Sequence, residues 1–159
     1  MKQVVSDALQ ADQSAFTDTT FITVLTAIQR WEEWEPRKEE AVSQDALVRS
    51  IIDIAWKGKV LKGKAERGVT RQAFMRVDSI TNLLYVLARM GYRLPEKPRS
   101  FKAKRPFMET MARRLIDRAN EQMLDAGRCP HFNIKNLSRT FWNFYSFGHY
   151  DPQLFSLLC

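Results

Sequence analysis

Two stretches of this chain repeat one another without a gap. ITNLLYVLARMGYRLP, residues 80–95, lies over LSRTFWNFYSFGHYDP, residues 137–152, at an offset of 57. Ile80 matches Leu137, Thr81 Ser138, Leu84 Phe141, Tyr85 Trp142, Leu87 Phe144, Met90 Phe147, Gly91 Gly148 and Pro95 Pro152. A weaker third copy, LVRSIIDIAWKGK (47–59), is offset by 33 and puts Leu47, Ile51, Ile54 and Gly58 on the same positions. Apolar residues three and four apart, closed by glycine, read as an amphipathic helix with a C-terminal cap. Such a unit cannot bury its apolar face alone, and recurrence at a long period marks a stacked array. The predicted fold is therefore all-α, an α-solenoid of stacked helix-turn-helix repeats. An ordinary helical bundle is the alternative.

The rest of the chain is also helical in pattern, and strand signals are poor throughout. Residues 19–35 carry Phe21, Val24, Leu25, Ile28 and Trp31 at helical spacing, with Asp18 as the expected N-cap and Pro36 as the stop. Residues 36–43 read as a polar connection. This divides the chain into an acidic helical segment, 1–43, and a repeat domain, 44–159, of about three units with the last incomplete. Further helices are expected over 44–57, 77–90, 106–126 and 134–147, and another is expected to begin at Asp151–Pro152. Pro106 suits the first helical position, where its missing N–H has no intrahelical partner to lose. Met108, Met111, Leu115, Ala119 and Met123 form the apolar face of that helix. Segment 59–72 is strongly basic, and Gly63 and Gly68 weaken any helix there; the basic segment 93–105 reads as a loop.

The aromatic run Phe141, Trp142, Phe144, Tyr145, Phe147 could serve as a stacking platform for bases or as helix core. Its alignment decides for core at Phe141, Phe144 and Phe147, which match aliphatic positions in the other copies. Trp142 aligns with Tyr85 on the flank, where it either packs on a neighbouring helix or meets a ligand.

Charge sets the partner class. Residues 1–45 hold 4 Lys/Arg and 9 Asp/Glu; residues 46–159 hold 21 and 9, a net of +12 within a total of +7. Clustered basic residues point to a polyanion, RNA or DNA. Two distant cysteines make no disulfide framework. No apolar run approaches a membrane span. Lys2 is followed by no basic residue until Arg30, while Asp7, Asp12 and Asp18 intervene, so the N-terminus has the pattern of neither a signal nor a transit peptide.

The residues Phe132, Leu137, Ser138, Phe141, Trp142, Phe144, Phe147 and Gly148, with Ile80, Thr81, Asn82, Leu83, Leu84, Tyr85, Leu87, Ala88, Gly91 and Tyr92, carry a resemblance. This pattern is similar to the organellar helical repeats found beside RAP domains: octotricopeptide and heptatricopeptide repeats and those of FAST-kinase-like proteins. It covers residues 77–159 well and 44–76 weakly. The chain departs from the family in its irregular spacing and its long basic loop, and no RAP domain is visible. The resemblance implies RNA work in a mitochondrion or plastid. With so few units, it implies a structural contact with ribosomal RNA in a ribonucleoprotein, such as the mitochondrial ribosome, rather than a long sequence-specific footprint. A protein–protein scaffold in a large organellar complex, or an RNA processing or stability factor, are the alternatives.

Phosphate contacts are expected from Lys57, Lys59, Lys62, Lys64, Arg67 and Arg71, from Arg99, Lys102, Lys104 and Arg105, and from Arg113, Arg114 and Arg118. Base contacts are expected from Arg49, Asn82 and Arg139, which are equivalent across the copies, and from Asn143 one turn on. Neighbouring proteins are expected partners; membrane insertion, a small-molecule substrate and a cofactor are not. Cys129, His131, His149 and Cys159 have no usual zinc spacing. Two histidines leave little for His-based acid–base catalysis, and no GxGxxG, P-loop or GxSxG pattern occurs. The chain is not expected to be an enzyme; a nuclease using acidic residues is a distant third reading.

Overall fold

Apolar periodicity becomes helix wherever it was strong. The computed structural model describes residues 7–8, 16–34, 46–61, 70–94, 106–127 and 129–159. Among these are six helices: α1 (Asp18–Trp34), α2 (Ala46–Lys57), α3 (Val77–Arg89), α4 (Phe107–Ala126), α5 (Ile134–Ser146) and α6 (Pro152–Leu158). No helix among the described residues is long and apolar enough to cross a membrane. Two compact units divide the chain, Met1–Met75 and Arg76–Cys159. α1 and α2 belong to the first unit and α3 to α6 to the second.

In the first unit, Phe21, Leu25 and Ile28 of α1 are buried, as are Leu47, Val48, Ile51, Ile52, Ile54, Ala55 and Trp56 of α2. Two sequence expectations are corrected here. Thr17, not Asp18, caps α1: its Oγ1 accepts from the Thr20 N–H at 3.2 Å while its own N–H donates to Thr20 Oγ1 at 3.3 Å. The Asp18 carboxylate instead accepts from the Phe74 N–H at 3.0 Å. Phe74 is fully buried against Phe21 and holds a left-handed φ of 52°. Second, the ends of segment 59–72 are strands. β1 (Lys59–Leu61) pairs antiparallel with β2 (Thr70–Gln72), placing Lys59 opposite Gln72 and Val60 opposite Arg71. Three residues per strand are too few for period-two alternation to show. The Gly58 carbonyl accepts from the Ala73 N–H, so the chain leaving α2 enters this ribbon rather than a second helix. The weak third copy is therefore not a helix-turn-helix unit.

In the second unit the repeat is realised down to its hydrogen bonds. Gly91 and Gly148, at φ 64° and 61°, end α3 and α5 in the same motif. The Gly91 N–H donates to the Ala88 carbonyl and the Tyr92 N–H to Leu87; 57 residues on, Gly148 donates to Tyr145 and His149 to Phe144. Asn133 caps α5 by accepting from the Asn136 N–H, and Asp151 caps α6 by accepting from Leu154. α3 packs on α5 and α4 on α6, with α3 also against α4, so first helices neighbour each other and second helices do likewise. The core holds Ile80, Leu83, Leu84, Leu87, Met111, Leu115, Phe144 and Leu154. Phe141 and Phe147 are half-buried. Phe141 and Phe144 meet Phe155 of α6, at ring-centroid distances of 5.1 and 6.0 Å. Met123 is exposed, contrary to expectation; Phe107, Ala112 and Ile116 fill the α4 face instead.

Candidate nucleic-acid interface

The seam between α3 and α5 brings together Asn82 and Arg139, two of the three residues that sequence equivalence makes counterparts. Asp78 pairs with Asn136, Asn82 with Arg139 and Tyr85 with Trp142, so the two helices run parallel with the copies nearly in step. Arg139 donates to Asn82 Oδ1, and its guanidinium carbon lies 4.8 Å from the Tyr85 ring centroid. Tyr85 and Trp142 meet with centroids 5.2 Å apart, tilted by 49°. Trp142 stays 41% exposed, and Tyr145 one turn on is open to solvent. The seam therefore presents a guanidinium, a phenol and an indole in one ladder.

Asn143 takes a different place from the one expected. It is fully buried, its Nδ2 donating to the Thr81 carbonyl at 2.9 Å, and so has no surface to offer a base. Its Oδ1 has no hydrogen-bond partner. Asn136 is also buried; its Nδ2 reaches Asp78 Oδ1 at 2.6 Å and the His131 carbonyl at 2.7 Å. Sequence reasoning missed this second asparagine, although Asn133-x-x-Asn136 at a helix start was a signal for local polar bonding. Arg49 is exposed on α2, in the other unit.

Among the expected phosphate contacts, Lys57 and Lys59 are exposed on either side of Gly58, and Arg71 belongs to β2. Lys62, Lys64 and Arg67, in the connection between the strands, lie outside the described residues, as do Arg99, Lys102, Lys104 and Arg105. The arginines of α4 do not form a bare basic stripe. Arg113 Nε lies 3.2 Å from Asp117 Oδ1, and Arg118 donates to Glu121 at 2.5 Å. Over the whole helix three arginines face four carboxylates. Exposed pairs of this kind are weak and can be re-partnered. Arg114 is half-buried, and desolvation lowers its guanidinium pKa while leaving it charged.

A cavity of about 540 Å³ lies where the capped ends of α3 and α5 approach the start of α4, lined by Tyr92, Arg93, Phe107, Phe147 and His149 among others. His149 Nε2 is buried there without a hydrogen-bond partner, its ring 5.7 Å from Phe144. Cys129 donates to the Ala119 carbonyl, while His131 and Cys159 are exposed. Among the described residues no three metal-binding side chains converge. No protein-family model, curated protein or solved structure matches this chain.

Proposed function

We propose that this chain is a non-catalytic, RNA-binding helical repeat protein of an organelle, related to the RAP-associated repeats, that contacts ribosomal RNA within the mitochondrial ribosome. The observation that carries the reading is the α3–α5 seam: a guanidinium stacked on tyrosine beside a solvent-facing tryptophan, in a unit, 76–159, that holds 14 Lys/Arg against 7 Asp/Glu. Stacking and phosphate attraction together are how proteins hold unpaired RNA. A solenoid that continues the α3–α5 and α4–α6 layering is part of this proposal.

The test is fluorescence anisotropy with labelled RNA across 50–200 mM salt. Binding should weaken steeply as salt rises, and charge reversal at Lys57 and Lys59 together with Lys62 and Lys64 should flatten the slope. Ultraviolet crosslinking in cells should then yield a sharp peak on organellar ribosomal RNA. Scattered messenger peaks point to a processing factor instead. The scaffold reading keeps one specific support: Leu124 and Ile134, on either side of the α4–α5 connection, are 86% and 84% exposed and suit a protein neighbour. Loss of all RNA affinity at low salt would leave that reading standing.

A further inference from the structure

We infer that the α3–α5 seam is a site for one unpaired base, and that it prefers guanine to adenine. This rests on the RNA-binding reading and specifies its ligand. Arginine has no acceptor, so Asn82 must turn its Oδ1 toward Arg139, which leaves the Asn82 NH₂ as a donor. The remaining guanidinium N–H groups are donors too. Asn82 and Arg139 thus offer hydrogen to whatever lies beside them. Trp142, three residues after Arg139 and on the same helical face, is backed by Tyr85 and keeps 41% of its surface open.

A flat ring laid on that open indole would bring one edge toward the donors. Guanine presents two acceptors on one edge, O6 and N7; adenine presents N7 beside an N6 donor, which would oppose the Asn82 and Arg139 hydrogens. A base inside a duplex cannot stack on Trp142, because both of its faces are already covered. The ligand is therefore single-stranded or looped RNA. Charge complementarity favours RNA over an apolar protein helix here, since a guanidinium on this face would be desolvated without an anion to meet it.

The experiment uses the full chain and fluorescein-labelled 11-nucleotide ribose-phosphate strands that are abasic except at the centre, which carries guanine, adenine or no base. All three have the same phosphate charge. The guanine strand should bind about tenfold more tightly than the fully abasic one, as expected for one base stacked on an aromatic ring, and more tightly than the adenine strand. Trp142→Ala should bring all three to the abasic level, while Trp142→Phe keeps most of the gain. Arg139→Met should erase the preference for guanine over adenine and keep the stacking gain. If the three strands bind the wild-type chain equally, the base site is refuted and phosphate-driven RNA binding stands. If none binds at 50 mM salt, both readings fall and the exposed indole belongs to a protein contact.

Discussion

Asn136 and Asn143 lie two turns apart on α5, and both are buried, yet they should respond unequally to mutation. Asn136 spends both amide hydrogens, on Asp78 and on the His131 carbonyl. Replacing it with alanine leaves the His131 carbonyl short of a donor and turns the half-exposed Asp78 carboxylate over to water and Arg76, and should cost about 1–2 kcal/mol in urea unfolding. Asn143 makes one bond to a carbonyl that already serves its own helix, and keeps an unpaired buried oxygen. Asn143→Leu removes that orphan and should change stability by less than about 1 kcal/mol, because an apolar group of similar shape can replace a poorly satisfied polar one. The equivalent residue of the first copy is Val86, which is also buried. A loss larger for Asn143→Leu than for Asn136→Ala would overturn this account. At the other end of the chain, Asp18 holds the backbone of Phe74 in a left-handed conformation that a bulky residue rarely adopts. Asp18→Ala should cost about 1.5–3 kcal/mol, the range for a charge-assisted bond, and thermal unfolding followed by circular dichroism would measure it.

Among the elements, the helix ends are the best-determined parts. A Cβ at Gly148 would touch nothing, but φ there is 61°. Gly148→Ala should therefore lose about 1–2 kcal/mol through backbone strain alone, and the equivalent Gly91→Ala should lose a similar amount. Unequal losses, by denaturant titration, would mean that the two caps are not alike. Glycine caps and the Asp151–Pro152 start were legible because their chemistry is local. The aromatic run was legible only in part: Phe144 is core and Trp142 remains at the surface, whereas Phe141 and Phe147, expected in the core, are half-buried. What depends on distant partners was not legible. Thr17 displaced Asp18 as the α1 cap because Phe74, far along the chain, takes the aspartate. Met123 kept the helical spacing but sits at the end of α4, where nothing in its own sequence says the neighbouring layer has stopped. Asn143 looked like a surface residue because polar side chains normally are; its burial follows from where Thr81 happens to lie. The Asn82–Arg139 contact was half legible, since equivalence named both residues but not that they would meet each other.

On the scale of the whole molecule, charge and packing divide differently. The acidic part ends near residue 45, whereas the compact units part at Met75. The second unit contains two pairs of helices with their own core. Residues 76–159 expressed alone should unfold cooperatively and keep helical circular dichroism, and a gradual, non-cooperative melt would show that the unit needs the rest of the chain. The same fragment should keep the preference for guanine but lose part of the salt-dependent affinity, because Lys57, Lys59 and the strand connection are gone.

The seam also has a consequence for descent. Its register is fixed sideways, by side chains of α3 and α5, and not by the number of residues between them. The first connection runs from Met90 to Pro106; the second spans only Phe147 to Asp151. Insertions and deletions in the longer one would change the offset of 57 without moving Asn82 away from Arg139. Lineages sharing an ancestor with this chain should therefore keep the ladder and drift in spacing. A ruler of fixed period would overlook their kinship, while the pairing of Tyr85 with Trp142 would still betray it.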